Sequence, residues 1–290
     1  MRVLVTGCSR FLGDAVVRAL RAKNHSAIAT AFSAREGVSA LDVRDDRAVD
    51  EACTDVHAII HLAAVRSYGD PSAMARATAV IADGTRAVVR AAKRRGLRVV
   101  LAGTGEEYGA TGVVPFREEG PYAPVSEYGR AKRAAVVEAL EEYSEGACVL
   151  RPSTVYGATQ PAMMLVAQCL RAAREDGVVR INGGEQTRDH VYVDDVADAF
   201  VRAVSVDESI CGHEINIAAG QARSVRFIAE RVLAIAGRGR LEVGPASTRA
   251  GDVMEASFSV ERARALLDWT AETSLEEGLA RAVHAALGGR

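Results

Sequence analysis

In the segment SEYGRAK, Tyr128 and Lys132 stand four residues apart. On a helix that spacing puts both side chains on one face. An ammonium beside a phenol favours the phenolate and draws its pKa down from about 10. A phenol so tuned can pass a proton to or from a carbonyl or hydroxyl, worth roughly a hundred- to ten-thousandfold in rate. The pair is unusual in this chain, whose 36 basic residues include only three lysines, Lys23, Lys93 and Lys132. Upstream, LAGTGEEYG follows an apolar run and offers the Thr104 hydroxyl, with Glu106 two residues on. Glu106 reads equally as an acid/base group or as a loop carboxylate tied to backbone.

A second signal lies near the start. TGCSRFLG joins the run RVLV to the helical pattern DAVVRALRAK. Gly7 suits the tight turn and Gly13 the close helix packing of a dinucleotide phosphate loop, although Arg10 stands where a third glycine is expected. Such a turn presents backbone N–H groups and a helix N-terminus to a pyrophosphate. The stretch Gly7, Ser9, Arg10, Phe11, Leu12, Gly13 is therefore assigned to cofactor binding.

The elements that must hold these residues alternate. Strand patterns at 2–6, 27–31, 57–62, 98–102 and 148–151 are separated by helical patterns at 12–23, 47–53, 78–95 and 127–143. That alternation predicts right-handed crossovers and a parallel sheet covered on both faces. The fold expected is α/β: a Rossmann-type doubly wound parallel sheet with a smaller C-terminal α/β substrate-binding domain. The boundaries expected are 1–155, with about 188–205 returning to the first domain, and 156–290. In the second half, helices are expected at 162–174, 224–235 and 275–287 and a strand at 178–181, while Asp194 and Asp195 read as N-caps.

Composition narrows the function classes. A 290-residue chain with 49% apolar and 26% charged residues and a net charge of −2 is an ordinary globular protein with no electrostatic pull towards nucleic acid or anionic membrane. There is no long apolar run and no signal peptide, and the five cysteines lack a CxxC, so a cytoplasmic protein with reduced thiols is expected. His57 and His61 sit four apart in a strand pattern, where that spacing does not make a zinc pair, so no metal is expected.

The ordered segments TGCSRFLG, LDVRD, IIHLAA, DGT, TGEEYG, YGRAK, RPSTVYG, RDHVYVDDVA, INIAAG and RAGDV resemble the extended short-chain dehydrogenase/reductases, the NAD(P)-dependent sugar-nucleotide epimerase/dehydratase family. The resemblance implies Tyr128 as acid/base, Lys132 as ribose ligand and pKa modifier, and Thr104 at the catalytic Ser/Thr position. It puts Asp42 and Val43 against adenine, Leu62, Ala63 and Ala64 along the dinucleotide, and Val155 among the cofactor contacts. Arg188 and Arg249 would clamp a nucleotide-sugar pyrophosphate, a task suited to a planar guanidinium. Thr154 falls where the family has a substrate-binding Asn.

Departures from the pattern bear on the cofactor and the substrate. NAD-preferring relatives end the second strand with an acid that grips the adenosine ribose; here that place holds Ala31, followed by Ser33 and Arg35. Arg35 and Arg10 could both attract a 2′-phosphate, so NADP(H) is favoured and NAD(H) remains open. Ile81 and Thr154 replace two family asparagines, and Gly105 replaces the Asp of the dehydratases, which disfavours dehydration. The function expected is hydride and proton transfer on a nucleotide-linked sugar, a C4 epimerase or 4-ketoreductase. The alternatives are an NADPH-dependent reductase of a non-sugar carbonyl substrate and a non-catalytic NADP-binding regulator. The family also implies a homodimer through a four-helix bundle built from 78–95 and 127–143.

Overall fold

The computed structural model describes residues 1–65, 71–246 and 253–288. Its first half runs β1 (Arg2–Thr6), α1 (Leu12–Ala22), β2 (Ser26–Ala31), β3 (Ser39–Ala40), α2 (Asp46–Ala52), β4 (Ala58–His61), α3 (Pro71–Arg95), β5 (Arg98–Ala102), α4 (Glu127–Tyr143) and β6 (Ala147–Pro152). The second half is finer grained: β7 (Thr154–Tyr156), α5 (Leu165–Glu175), β8 (Val178–Asn182), β9 (Thr187–Tyr192), α6 (Val193–Ser205) and β10 (Glu214–Ile217). It ends with β11 (Ala222–Ser224), α7 (Val225–Ala236), β12 (Arg240–Gly244), α8 (Glu261–Leu267) and α9 (Leu275–Leu287).

Seven strands make one sheet in the order β10-β6-β5-β4-β1-β2-β3, and every pairing in it is parallel. The order reverses direction at β1, so a crevice opens between the carboxyl ends of β1 and β4. Helices on both faces explain why the strands read as unbroken apolar runs: Val3, Leu4, Val5, Ile59, Ile60, Val99 and Val100 are all fully buried. Each such side chain contributes about 1.5–3 kcal/mol relative to exposure. A three-stranded sheet, β11-β9-β7, and the pair β12-β8 make up the smaller part.

Two details differ from the sequence reading. Helix α3 begins at Pro71, well before 78, where proline is welcome in a first turn. Asp194 and Asp195 lie in the first turn of α6 and do not cap it; the N-cap position is Tyr192, with no side-chain cap. Because β9 runs straight into α6, there is no turn to host one. Asp195 instead accepts hydrogen bonds from Thr273 N (3.1 Å) and Thr273 Oγ1 (3.0 Å).

Buried titratable groups make the fold sensitive to acid. His61 and His190 are almost wholly buried. Burial, helped by the Lys132 charge, holds His61 at about 3; burial holds His190 at about 4. Burial also pushes Asp189 up to about 6, against the N–H groups of Ala219 and Gly220 that it accepts from. Below the ordinary histidine pKa the unfolded chain takes up two protons that the folded chain refuses, so stability falls with falling pH. Asp189 acts oppositely between about 4 and 6, because the folded state takes up that proton first. The net is one proton, so stability is expected to fall by about 1.4 kcal/mol per pH unit from pH 6 to 4 through these three groups. Urea titrations across that window check it; a flat or rising stability would refute it.

Candidate active site

The turn after β1 is fixed by contact. Gly7 has a φ of +81°, and a Cβ there would lie 2.5 Å from Ala63 N and 2.6 Å from the Leu62 carbonyl carbon. Any side chain would push the turn off the segment that follows β4. In the same turn Phe11 takes a φ of 51°, a conformation worth about 1–3 kcal/mol of strain. Phe11 occupies the N-cap position of α1 without a side-chain cap. The positive end of the helix dipole is thus presented at the turn, as an anion site requires.

A cavity of about 850 Å³ opens from this turn, in the upper part of the roughly 300–1,000 Å³ range of ligand sites. Gly7, Ser9, Arg10, Phe11, Leu12 and Gly13 line it, with Leu62 and Ala64 from the end of β4. Thr104, Glu106, Tyr128 and Lys132 line it too, as do Thr154, Val155 and Arg188. The remaining expected cofactor residues lie off that wall. Ala63 is buried against Gly7, and Val43 is also buried. Asp42 is gripped by Arg44 through Nε (2.9 Å) and Nη2 (2.6 Å), which holds its carboxyl below the usual range. Ser33 is exposed. Arg35 reaches back to the glycine turn, donating to Cys8 O at 2.9 Å and pairing with Asp14. Arg249 lies outside the described residues.

Helix α4 carries Tyr128 and Lys132, and its entry is tightly defined. Ser126 Oγ accepts from Gly129 N at 2.9 Å and donates to Glu106 Oε2 at 2.7 Å. A Cβ on Gly129 would lie 2.6 Å from Glu106 O, so the residue after Tyr128 lets the helix press on the loop that follows β5. Tyr128 is half-buried. One turn on, Lys132 is 3% exposed, and its Nζ donates to Ala102 O at 2.8 Å. Thr104 caps a single 3₁₀ turn at Gly105–Glu107; its Oγ1 accepts from Glu106 N at 3.4 Å and its N–H donates to Glu107 Oε1 at 2.8 Å. The arrangement offers a phenol, an ammonium, a hydroxyl and a carboxylate around one cavity, the set that proton transfer at a carbon–oxygen bond needs.

The small sheet supplies a second polar wall. Arg188 Nη1 donates to Thr187 O (2.7 Å) and Val253 O (2.8 Å). β7 and β9 run parallel with Thr154 beside His190, and His190 also lines the cavity. Its Nδ1 lies 3.2 Å from Arg188 O, so that nitrogen is the donor and Nε2 the acceptor of a neutral ring. Ser153, also on the cavity wall, keeps a buried hydroxyl with no partner among the described residues.

A family model for the "NAD dependent epimerase/dehydratase family" matches residues 3–218. The chain belongs to that family. Across 98% of its length it is 30% identical to UDP-glucose 4-epimerase of Mycolicibacterium smegmatis, covering 97% of that protein. Among solved structures it is similar to UDP-glucose 4-epimerase from Thermotoga maritima with UDP-glucose, at 27% identity, 98% of each chain and a TM-score of 0.87. It is equally similar to the Thermus thermophilus UDP-glucose 4-epimerase in complex with NAD, at 27% identity, 100% of each chain and a TM-score of 0.86. The family's NAD-dependent chemistry is compatible with this site: the cavity has the volume, the glycine turn the close backbone, and α1 the open N-terminus. Among the described residues no helix is long and apolar enough to cross a membrane.

Sequence reasoning did not single out His190, Ser126, the buried charges Glu107 and Arg151, or the partly buried Glu214. Arg151 carried a signal, since it ends the apolar run CVLR in a strand that is buried throughout. The pairing of Thr154 with His190 carried none, because it joins strands that are far apart in the chain.

Proposed function

We propose that this protein catalyses hydride and proton transfer at C4 of a nucleotide-linked sugar, most simply as a UDP-sugar 4-epimerase. The observation that carries the reading is the convergence of Thr104, Tyr128 and Lys132 on one cavity with the glycine turn and Arg188. Tyr128 takes the proton of the C4 hydroxyl and later returns it. Thr104 hydrogen-bonds the same oxygen, and Lys132 binds the nicotinamide ribose and contributes the positive charge that favours a phenolate. The dinucleotide, when bound, supplies the hydride acceptor and donor. The backbone of Gly7 to Gly13 holds its pyrophosphate, while Arg188 and Arg249 hold that of the sugar nucleotide, with Thr154 against the sugar. Glu106 orders the entry of α4 through Ser126.

A second reading, a 4-ketoreductase using free NADPH, is favoured by the end of β2. Ala31 leaves the ribose without an acid, and Arg35, drawn to the glycine turn, supplies a cation for a 2′-phosphate. NADP(H) is accordingly the proposed cofactor. The pair α3 and α4 is the proposed dimer face: the two helices pack on one another through Val89, Ala135 and Ala139, and Arg86 pairs with Glu138 at the groove between them. A monomer by light scattering would overturn that assignment.

One assay tests the main proposal. Incubation with UDP-glucose should yield UDP-galactose with no net change in cofactor oxidation state, whereas a ketoreductase consumes NADPH only when given a 4-keto sugar nucleotide. No reaction with either class of substrate, and no binding of UDP, would sink the sugar-nucleotide reading. By nicotinamide fluorescence NADPH should bind about tenfold more tightly than NADH, a difference of about 1.4 kcal/mol. That preference should vanish in Arg35→Ala.

A further inference from the structure

Below the Thr104 turn lies a cluster of charges, wholly buried at Glu107 and Arg151 and partly exposed at Glu214 and Arg133. Glu107 is wholly buried. Its Oε1 accepts the Thr104 N–H at 2.8 Å, and its Oε2 accepts from Arg151 Nη2 at 3.0 Å. Arg151, equally buried, also donates to Tyr108 Oη at 2.9 Å and pairs with Glu214 of β10. Glu214 takes two further hydrogen bonds, at 2.9 and 2.7 Å, from Arg133. Arg133 follows Lys132 on α4, lies 4.0 Å from Glu107 Oε2 and stacks 3.8 Å over the Tyr122 ring. Burial works against the Arg151 charge, and the groups around it, Glu107 foremost with Tyr108 and Tyr122, together more than offset this.

Two carboxylates thus meet two guanidiniums with no net charge. Well-packed apolar side chains often replace such a set without loss of stability, so burial alone does not explain it. What Glu107 adds is an acceptor, clamped by Arg151, for the backbone of the turn that carries Thr104. Thr104 is extended there, with φ −155° and ψ 145°, and fixing its N–H fixes where its Cβ and hydroxyl leave the chain. The fit is close: a Cβ on Gly103 would lie 2.8 Å from Glu107 Oε1. Through Glu214 and Arg133 the same cluster is tied to α4, which carries Tyr128. We infer that Glu107 is a positioning residue, acting through Thr104 to set the hydroxyl opposite Tyr128. This rests on the proposed role of Thr104.

The test is a double-mutant cycle in the full-length protein. Glu107→Gln cannot satisfy both the Thr104 N–H and Arg151, because its amide offers one acceptor where the carboxylate offers two. It should lower kcat roughly ten- to a hundredfold, the scale of a small misplacement, with KM and NADPH affinity within about twofold. Thr104→Val should cost a similar factor alone and little more in the Glu107→Gln background, because both remove one interaction. Additive losses, or a loss carried by KM or cofactor affinity, would overturn the inference. If Thr104→Val alone leaves kcat unchanged, the reading of Thr104 fails instead. Should Glu107→Gln not fold, Glu107→Asp keeps the charge on Arg151 but is one methylene short of Thr104, and the same non-additivity is required of it.

Discussion

The Tyr128→Phe variant is expected to lose turnover by roughly a thousandfold, inside the hundred- to ten-thousandfold range of positioned acid–base groups, and to bind NADPH within about twofold of the parent affinity. The substitution removes one oxygen and keeps the ring. The fold should be indifferent to it, since the entry of α4 is set by Ser126 and Gly129, which are untouched. Lys132 keeps its bond to Ala102 O, so the charge near the site also stays. What disappears is the only phenol among the cavity residues that is set one helical turn from an ammonium. Thr104 cannot substitute, because an alkyl hydroxyl gives up its proton far less readily than a phenol, and Glu106 is engaged with Ser126. Single-turnover hydride transfer measured beside NADPH affinity separates the outcomes. Undiminished transfer would remove Tyr128 from the chemistry, while loss of both would make it a binding residue.

The first half of the chain was legible because its signals are local. Strands buried on both faces read as apolar runs, and the crossover helices between them read as amphipathic segments, so β1, β4, β5 and α4 fall close to where periodicity puts them. The Tyr–Lys pair was legible for the same reason, since four residues on a helix is a local relation. The scarcity of lysine was a weaker guide: Lys23 pairs with Asp198 and Lys93 with Glu142 on the surface, where such pairs contribute about 0–1 kcal/mol. What escaped is what long-range pairing decides. Strand β10 spans only Glu214–Ile217, yet it completes the large sheet beside β6, and nothing in EINI says which sheet it joins. The charges of Glu107, Arg151 and Glu214 are spread over more than a hundred residues and become one cluster only when β6, β10 and the turn after β5 are side by side. Arg35 shows the converse: the sequence shows its charge, but its bond to Cys8 O and its pairing with Asp14 depend on how the loop folds back.

Lys132→Met is expected to move activity and stability in opposite directions. Lys132 is 3% exposed, and holding a charge so far from water costs several kcal/mol before its partners are counted. Its bond to Ala102 O recovers part of that. The charge is felt nearby, where it adds to burial in keeping His61 neutral. Methionine has a similar length and adapts to irregular packing, so the variant should be about 1–2 kcal/mol more stable, a rise of a few degrees in Tm. Turnover should fall roughly a hundred- to a thousandfold, as the phenol of Tyr128 loses the cation that favours its ionised form. Affinity for NADPH, the proposed cofactor, should weaken by about tenfold through loss of the proposed ribose contact. A variant that melts earlier would mean that the ammonium is a structural tie between α4 and β5, and one that melts later but turns over normally would detach Lys132 from the reaction. The combination expected, a sturdier protein that no longer works, follows if the buried charge is kept for chemistry at a cost in stability.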